Sequence, residues 1–239
     1  MEQLLGNALG LFNRYSGWIV WNLFLAFIPL ALSFWLFRRR EIVRSPLWWL
    51  VLVVFIAFLP NAPYLLTDIM HLIRAIRAIY SIWVITLIFI PLHVFAILAG
   101  FEAYVIALIN QGIYLKRQGA QRFILGAELF VHALSAVGIY VGRFQRFNSW
   151  DLVTDPGYVL LATLNNFTSR FPVVVMIITF IVVTALYWIV KQITLGLVLQ
   201  MRYGRHPERF DPPAGQIVLL VAMTQWSQPD SIKESRPCP

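Results

Sequence analysis

Hydrophobic residues in this chain fall into long unbroken runs rather than alternating or one-sided patterns. The first run, Trp18 to Phe37, is 20 residues long and closes on Arg38-Arg39-Arg40. At about 1.5 Å per residue it crosses a ~30 Å hydrocarbon core. The basic cluster follows the run and no cleavage site appears, so it reads as a span and not as a secretory leader. The second run opens on Trp48-Trp49 and lasts 13 residues, Leu47 to Leu59, before Pro60-Asn61-Ala62-Pro63-Tyr64 interrupts it. With the interruption included, a span over 47–66 is expected. The third stretch, 79–109, is broken mainly by Pro91, His93 and Glu102. It is too short for two spans and a turn, which predicts one long helix. The fourth run covers about 123–141 and the fifth 172–190, opening on Pro172 at a favourable first helical position. The pattern predicts an all-α integral membrane protein with about five transmembrane helices in one domain, residues 1–200. The remainder, 201–239, is rich in Pro and polar residues and reads as a disordered cytoplasmic tail.

Composition agrees with the runs. The chain is 59% hydrophobic and 13% charged, against about 45–50% and 25% in soluble domains, and its mean hydropathy is +0.72. Five spans put the termini on opposite sides. With the N-terminus outside, 13 of the 19 basic residues fall in the inner segments 38–46, 110–122 and 191–239, Lys191 among them. Arg14, Arg74, Arg77, Arg143, Arg146 and Arg170 remain outside. The net charge of +8 is then explained by orientation, N-terminus out and C-terminus cytoplasmic, and needs no nucleic-acid partner. The single cysteine, Cys238, allows no intrachain disulfide and no cysteine-based metal site. No phosphate-binding loop, dinucleotide fingerprint, His-Glu-x-x-His or Gly-x-Ser-x-Gly motif occurs, so no cofactor and no metal is expected.

Two polar segments, both on the outer side in this topology, carry the candidate chemistry. Pro60 and Pro63 are expected to push Leu59 and Ala62 out of helix. They break the chain inside the outer part of the bilayer, where irregular backbone must be buried in protein or line a wet cavity. Asn61 would offer its amide there, and Tyr64 would serve as a contact or an interfacial anchor. Residues 67–78 read as an amphipathic helix on the outer surface, with Thr67 as N-cap. Asp68, His71, Arg74 and Arg77 would occupy one face and Ile69, Leu72, Ile73 and Ile76 the other. The second segment, Gly142 to Asp151, places Arg143, Arg146, Asn148, Ser149 and Asp151 among Phe144, Phe147 and Trp150. Its arginines suit a phosphate or carboxylate, and its Asp151 either pairs with one of them or accepts from a substrate hydroxyl. Within the spans, Glu128 and His132 are one helical turn apart, while His93 and Glu102 lie in the third span, His93 at a depth like that of His132. Hydrogen-bonded contacts between helices are the favoured reading of these four, ahead of a metal site.

The sequence resembles a family of bacterial multi-pass membrane proteins known only as domain-of-unknown-function family 1361. The resemblance rests on Phe58 to Tyr64 followed by Thr67-Asp68 and His71-Leu72. It rests equally on Gly142-Arg143-Phe144 with Arg146, Asn148, Ser149, Trp150 and Asp151, and on Asn22 to Ala26 with Pro29. It implies a small integral membrane protein of prokaryotes and brings no activity, substrate or catalytic residue with it; with the topology above, the expected location is the bacterial plasma (inner) membrane.

Three functions follow as expectations. The first is an outward-facing site for an anionic lipid or lipid-linked ligand, bound by Asn61, Tyr64, Arg143, Arg146, Asn148 and Ser149. If that site is catalytic, Asp68, His71 or Asp151 is the candidate for the chemistry, with the arginines stabilising negative charge. The second is a non-catalytic accessory or assembly subunit in which Asp and Arg form a structural clamp. The third is a transporter component, for which five spans with so few charges would require a homo-oligomer.

Overall fold

In a computed structural model of the chain, the residues described are 2–39, 42–78, 81–145, 147, 154–155, 157–158, 161–163 and 170–203. Among them there is no strand, and five helical stretches are long and apolar enough to cross a membrane: Trp18–Phe37, Pro46–Arg77, Ile82–Arg117, Gln121–Phe144 and Arg170–Met201. The described residues up to Thr194 belong to one compact unit and those from Leu195 onward to a second. The chain is therefore an all-α protein built as a membrane protein is built, as the apolar runs predict. Of the tail expected to be disordered, 201–203 continue the last helix and 204–239 lie outside the described residues.

The helices are α1 (Glu2–Phe37), α2 (Pro46–Phe58), α3 (Ile69–Ala78), α4 (Ile82–Arg117), α5 (Ile124–Phe144) and α6 (Arg170–Tyr203). α2 starts where the sequence allows: Ser45 is extended, its hydroxyl accepts from the Trp48 amide, and Pro46 takes a position whose N–H needs no partner. α4 contains a π-helical turn at Ile85–Phe89. It ends on Gly119, whose φ of +71° lets the Ala120 amide reach the Leu115 carbonyl and its own amide that of Lys116. Only glycine takes that left-handed position at no steric cost.

α1 packs chiefly against α4 and α2. At one end of this trio, Phe37, Phe55, Trp48 and Tyr114 make an aromatic cluster, and Arg44 ties it down through Tyr114 and Gln118. In mid-bundle, Asn110 donates to the buried Ser33 hydroxyl at 2.9 Å. α6 is held mainly by long side chains: Met176 against Tyr140 and Val141, and Tyr187, Lys191 and Thr194 through polar contacts.

The segment after α2 departs from the expectation. Leu59 and Pro60 keep right-handed helical dihedrals, Asn61–Tyr64 forms one helical turn, and Leu65–Asp68 continues as a 3-10 helix into α3. The prolines therefore do not expel their neighbours from helical geometry. The Ala62 amide shortens its reach to Leu59, three residues back, while the Tyr64 amide keeps the ordinary bond four residues back to Pro60. Thr67 does not cap a helix, because its hydroxyl donates to the Tyr64 carbonyl at 2.7 Å. The turn fits between α4 and α5 because glycines face it. A Cβ on Gly100 would lie 2.3 Å from the Leu65 side chain, one on Gly138 2.7 Å from the Pro60 ring, and one on Gly142 3.1 Å from the Tyr64 ring. Close approach through small residues is how membrane helices gain packing where lipid supplies no hydrophobic drive.

Candidate functional site

The packed turn brings together residues from four parts of the chain. Asp68, in the 3-10 segment, is only 2% exposed, so its carboxylate must find donors inside the bundle. Asn22 of α1 donates to one oxygen at 3.2 Å, and Arg143 of α5 donates to the other at 3.3 Å. The same Arg143 nitrogen also donates to the Thr67 carbonyl, and the second terminal nitrogen meets His71 Nε2 at 3.2 Å. A guanidinium only donates, so His71 Nε2 accepts and the ring proton sits on Nδ1. The Tyr64 ring lies under the guanidinium, 5.3 Å from it. The Trp18 ring covers His71 at 4.1 Å between centroids, with His93 6.1 Å away on its other contact. One negative and one positive charge close on each other here, which is the condition for keeping either in a low-dielectric interior.

Against this centre lies a cavity of about 510 Å³ between α1, α2, α5 and the packed turn. Asn22, Asn61 and Tyr64 give it a polar side, while Leu25, Ile56, Ala57, Val137 and Val141 give it an apolar one. None of its described lining residues is charged. Two wall residues, Trp21 and Val53, are 52% and 63% exposed.

Of the residues expected at a site, Tyr64, Asp68, His71 and Arg143 converge. Asn61 lines the cavity with its amide donating to the Phe58 carbonyl at 3.0 Å. Arg146, Asn148, Ser149 and Asp151 lie outside the described residues. The expected polar face of α3 divides: Asp68 and His71 turn toward Arg143, whereas Arg74 and Arg77 are exposed. The apolar face differs too, because α3 buries Ala75 against Ile85 and Phe89 and leaves Ile69, Ile73 and Ile76 exposed. A carboxylate with an arginine in reach gains more from that partner than from staying in register with a solvated stripe. Asn22 was not singled out as a site residue, although a lone amide in a 20-residue apolar run is a signal that it needs a partner.

A second polar cluster lies toward the other end of α5. Glu128 accepts from the Tyr187 hydroxyl and from Lys191 through one oxygen, each at 2.6 Å. His132 Nδ1 pairs with the Tyr104 hydroxyl at 2.7 Å, and that hydroxyl also meets Ser135 at 3.3 Å. All six are buried except for traces, Lys191 being 8% exposed. Glu128 and His132 thus do share a face and bridge helices. His93 is separate, on the Phe89 carbonyl at 2.8 Å, about three turns along α4 from Tyr104. Glu102 accepts from Thr194 at 2.8 Å. Lys191, counted as a loop charge, is instead an intramembrane partner because α6 continues past it to Tyr203. Tyr104 and Tyr187 gave no sequence signal, since an aromatic in a span is ordinarily packing.

A family model described as Protein of unknown function (DUF1361) matches residues 21–185, a range that holds both polar clusters. No curated protein and no solved structure matches the chain.

Proposed function

We propose that this chain, which belongs to the DUF1361 family of proteins of unknown function, binds a lipid-like amphipathic molecule in the cavity between α1, α2 and α5. The observation that carries the reading is the cavity itself. Its volume of about 510 Å³ falls in the ~300–1,000 Å³ range of small-molecule sites, and it pairs an apolar wall with a few polar groups on one side. In a membrane-spanning bundle the exposed faces of Trp21 and Val53 look into lipid, which gives a hydrocarbon chain a lateral entry. Asp68, Arg143, His71 and Thr67 act in this reading as the clamp that holds the turn forming the cavity's polar side. Their acceptor atoms are engaged with one another, which favours binding over a general-base role for Asp68 or His71.

The second reading, an accessory or assembly subunit with a structural clamp, is supported by the occupancy of both Asp68 oxygens. We place the protein in a bacterial plasma membrane with its N-terminus outside. Removing the paired Lys191 and Arg143 from the basic count leaves 12 inner and 5 outer residues, and the bias survives.

The test is photolabelling in nanodiscs with a phospholipid carrying a diazirine in its acyl chain, followed by peptide mapping. Labels on Ile56, Val137 or Val141 that disappear when Ala57→Phe fills the cavity, with labelling of the exposed Phe24 and Leu98 unchanged, support lipid-like binding. Labels confined to Phe24, Leu98 and other outward residues in the wild type would leave the clamp reading in its place.

A further inference from the structure

We infer that the polar end of the molecule held in this cavity is uncharged, a hydroxyl or amide and not a phosphate or carboxylate. The inference rests on the cavity reading above and names the class of ligand.

Three observations lead to it. First, the described lining residues include no charged side chain. An anion seated among them would lose water without gaining a counter-charge, and burying an unpaired charge is far more costly than burying a hydrogen-bonded neutral group. Secondly, Arg143, the cation nearest the cavity among the described residues, is already paired with Asp68. Arg143 gives its terminal nitrogens to Asp68, Thr67 and His71, and it is not part of the cavity wall. An anion competing for it would also approach the Asp68 carboxylate, which lies directly behind Asn22. Thirdly, the wall does offer neutral partners. With its Nδ2 turned to Asp68, Asn22 keeps its carbonyl oxygen as an acceptor, and Tyr64, whose hydroxyl accepts from Arg143, keeps its O–H as a donor. An acceptor beside a hydroxyl matches a lipid alcohol, which both donates and accepts. It matches an ionised phosphate or carboxylate poorly, because those only accept.

The clamp and the cavity thus divide the work. The charged pair fixes the turn, and the uncharged Asn22 and Tyr64 meet the guest. A long-chain alcohol, a monoacyl or diacyl glycerol, or a polyprenol has the required chemistry: a hydrocarbon chain ending in a hydroxyl.

The experiment is competition against a diazirine-bearing hexadecanol probe in nanodiscs, using hexadecanol, palmitate, hexadecyl phosphate and hexadecane as competitors at matched membrane concentration. Hexadecanol is expected to displace the probe from the cavity at concentrations about tenfold or more below either anion. Tyr64→Phe should weaken the alcohol several-fold and leave the displacement by hexadecane unchanged, whereas a merely misfolded variant would lose both. Palmitate or hexadecyl phosphate competing as well as the alcohol would overturn the head-group inference while leaving lipid binding intact. If no probe labels the cavity and nothing competes, both this inference and the reading it rests on fall.

Discussion

The Asp68–Arg143 pair is the place where removal of one atom group should be felt most at the outer end of the bundle. Arg143→Leu keeps much of the side-chain volume and deletes the charge. Asp68, whose side chain is 2% exposed, then keeps Asn22 as its single donor, His71 Nε2 loses its donor, and the Thr67 carbonyl keeps only the Ile69 amide. Breaking a buried pair from one side costs about 3–5 kcal/mol. Because the Arg143 side chain retains 15% exposure, the lower end applies, about 3 kcal/mol. Asp68→Asn preserves shape and replaces a charged hydrogen bond by a neutral one, for about 2 kcal/mol. The double variant Asp68→Asn/Arg143→Gln leaves neither charge stranded, so its loss should fall short of the sum of the corresponding single losses by at least about 1 kcal/mol. Unfolding of the purified protein in mixed micelles by increasing SDS fraction, followed by far-ultraviolet circular dichroism, gives all the midpoints. Losses that add to within about 0.5 kcal/mol would refute the clamp.

Three further outcomes follow from the same structure. Lys191→Met strands the Glu128 carboxylate and should cost about 3–5 kcal/mol, while Lys191→Met with Glu128→Leu recovers most of it; the same SDS titration reads both. Gly138→Ala drives a Cβ to 2.7 Å from the Pro60 ring carbon, which cannot rotate away, whereas Gly126 has nothing within 4 Å. Gly138→Ala should therefore destabilise by about 1–3 kcal/mol and Gly126→Ala stabilise by about 0.5–1 kcal/mol, as measured by the shift in midpoint. Gly119→Ala meets no neighbour but forces alanine to φ +71°, at about 1–2 kcal/mol in the same titration.

What the sequence makes legible is what depends on runs of one residue class. Twenty consecutive apolar positions mean a span whatever packs beside them, so the run from Trp18 lies within α1, which ends where the run does, at Phe37. Lys191 is misread for the same reason. A lysine at the end of an apolar run looks like a loop, and only the presence of Glu128 on the preceding helix, α5, makes burial affordable. The proline turn is misread because steric rules for Pro describe the chain alone. Pro60 and Pro63 stay in helical geometry with Gly138 and Gly142 of α5, more than seventy residues away, packed against Pro60 and Tyr64. The pairing of Asn22, Asp68 and Arg143 spans 121 positions from first to last, and no local periodicity carries such a relation.

The division between the charged and uncharged residues of the two outer motifs has a physical origin. Reading a sequence, one gives Asp and Arg the leading chemical roles because they interact most strongly. Inside a membrane that strength is also their constraint, since a charge left without a partner costs more than the fold can supply. Asp68 and Arg143 accordingly pair with each other, and Asn22, Thr67 and His71 take up the second carboxylate oxygen and the two terminal guanidinium nitrogens. Asn22 is the hinge of the arrangement, because an amide has a donor for the carboxylate and an acceptor left over for the cavity. Deleting that bifunctionality separates the two roles: Asn22→Asp would set a second carboxylate against Asp68 and break the clamp, whereas Asn22→Ser keeps a donor at shorter reach. On this argument the Asp variant loses both stability in SDS and hexadecanol competition, while the Ser variant loses about 1 kcal/mol of stability and retains measurable competition. Equal behaviour of the two would mean that Asn22 is packing alone and that the clamp and the cavity are independent.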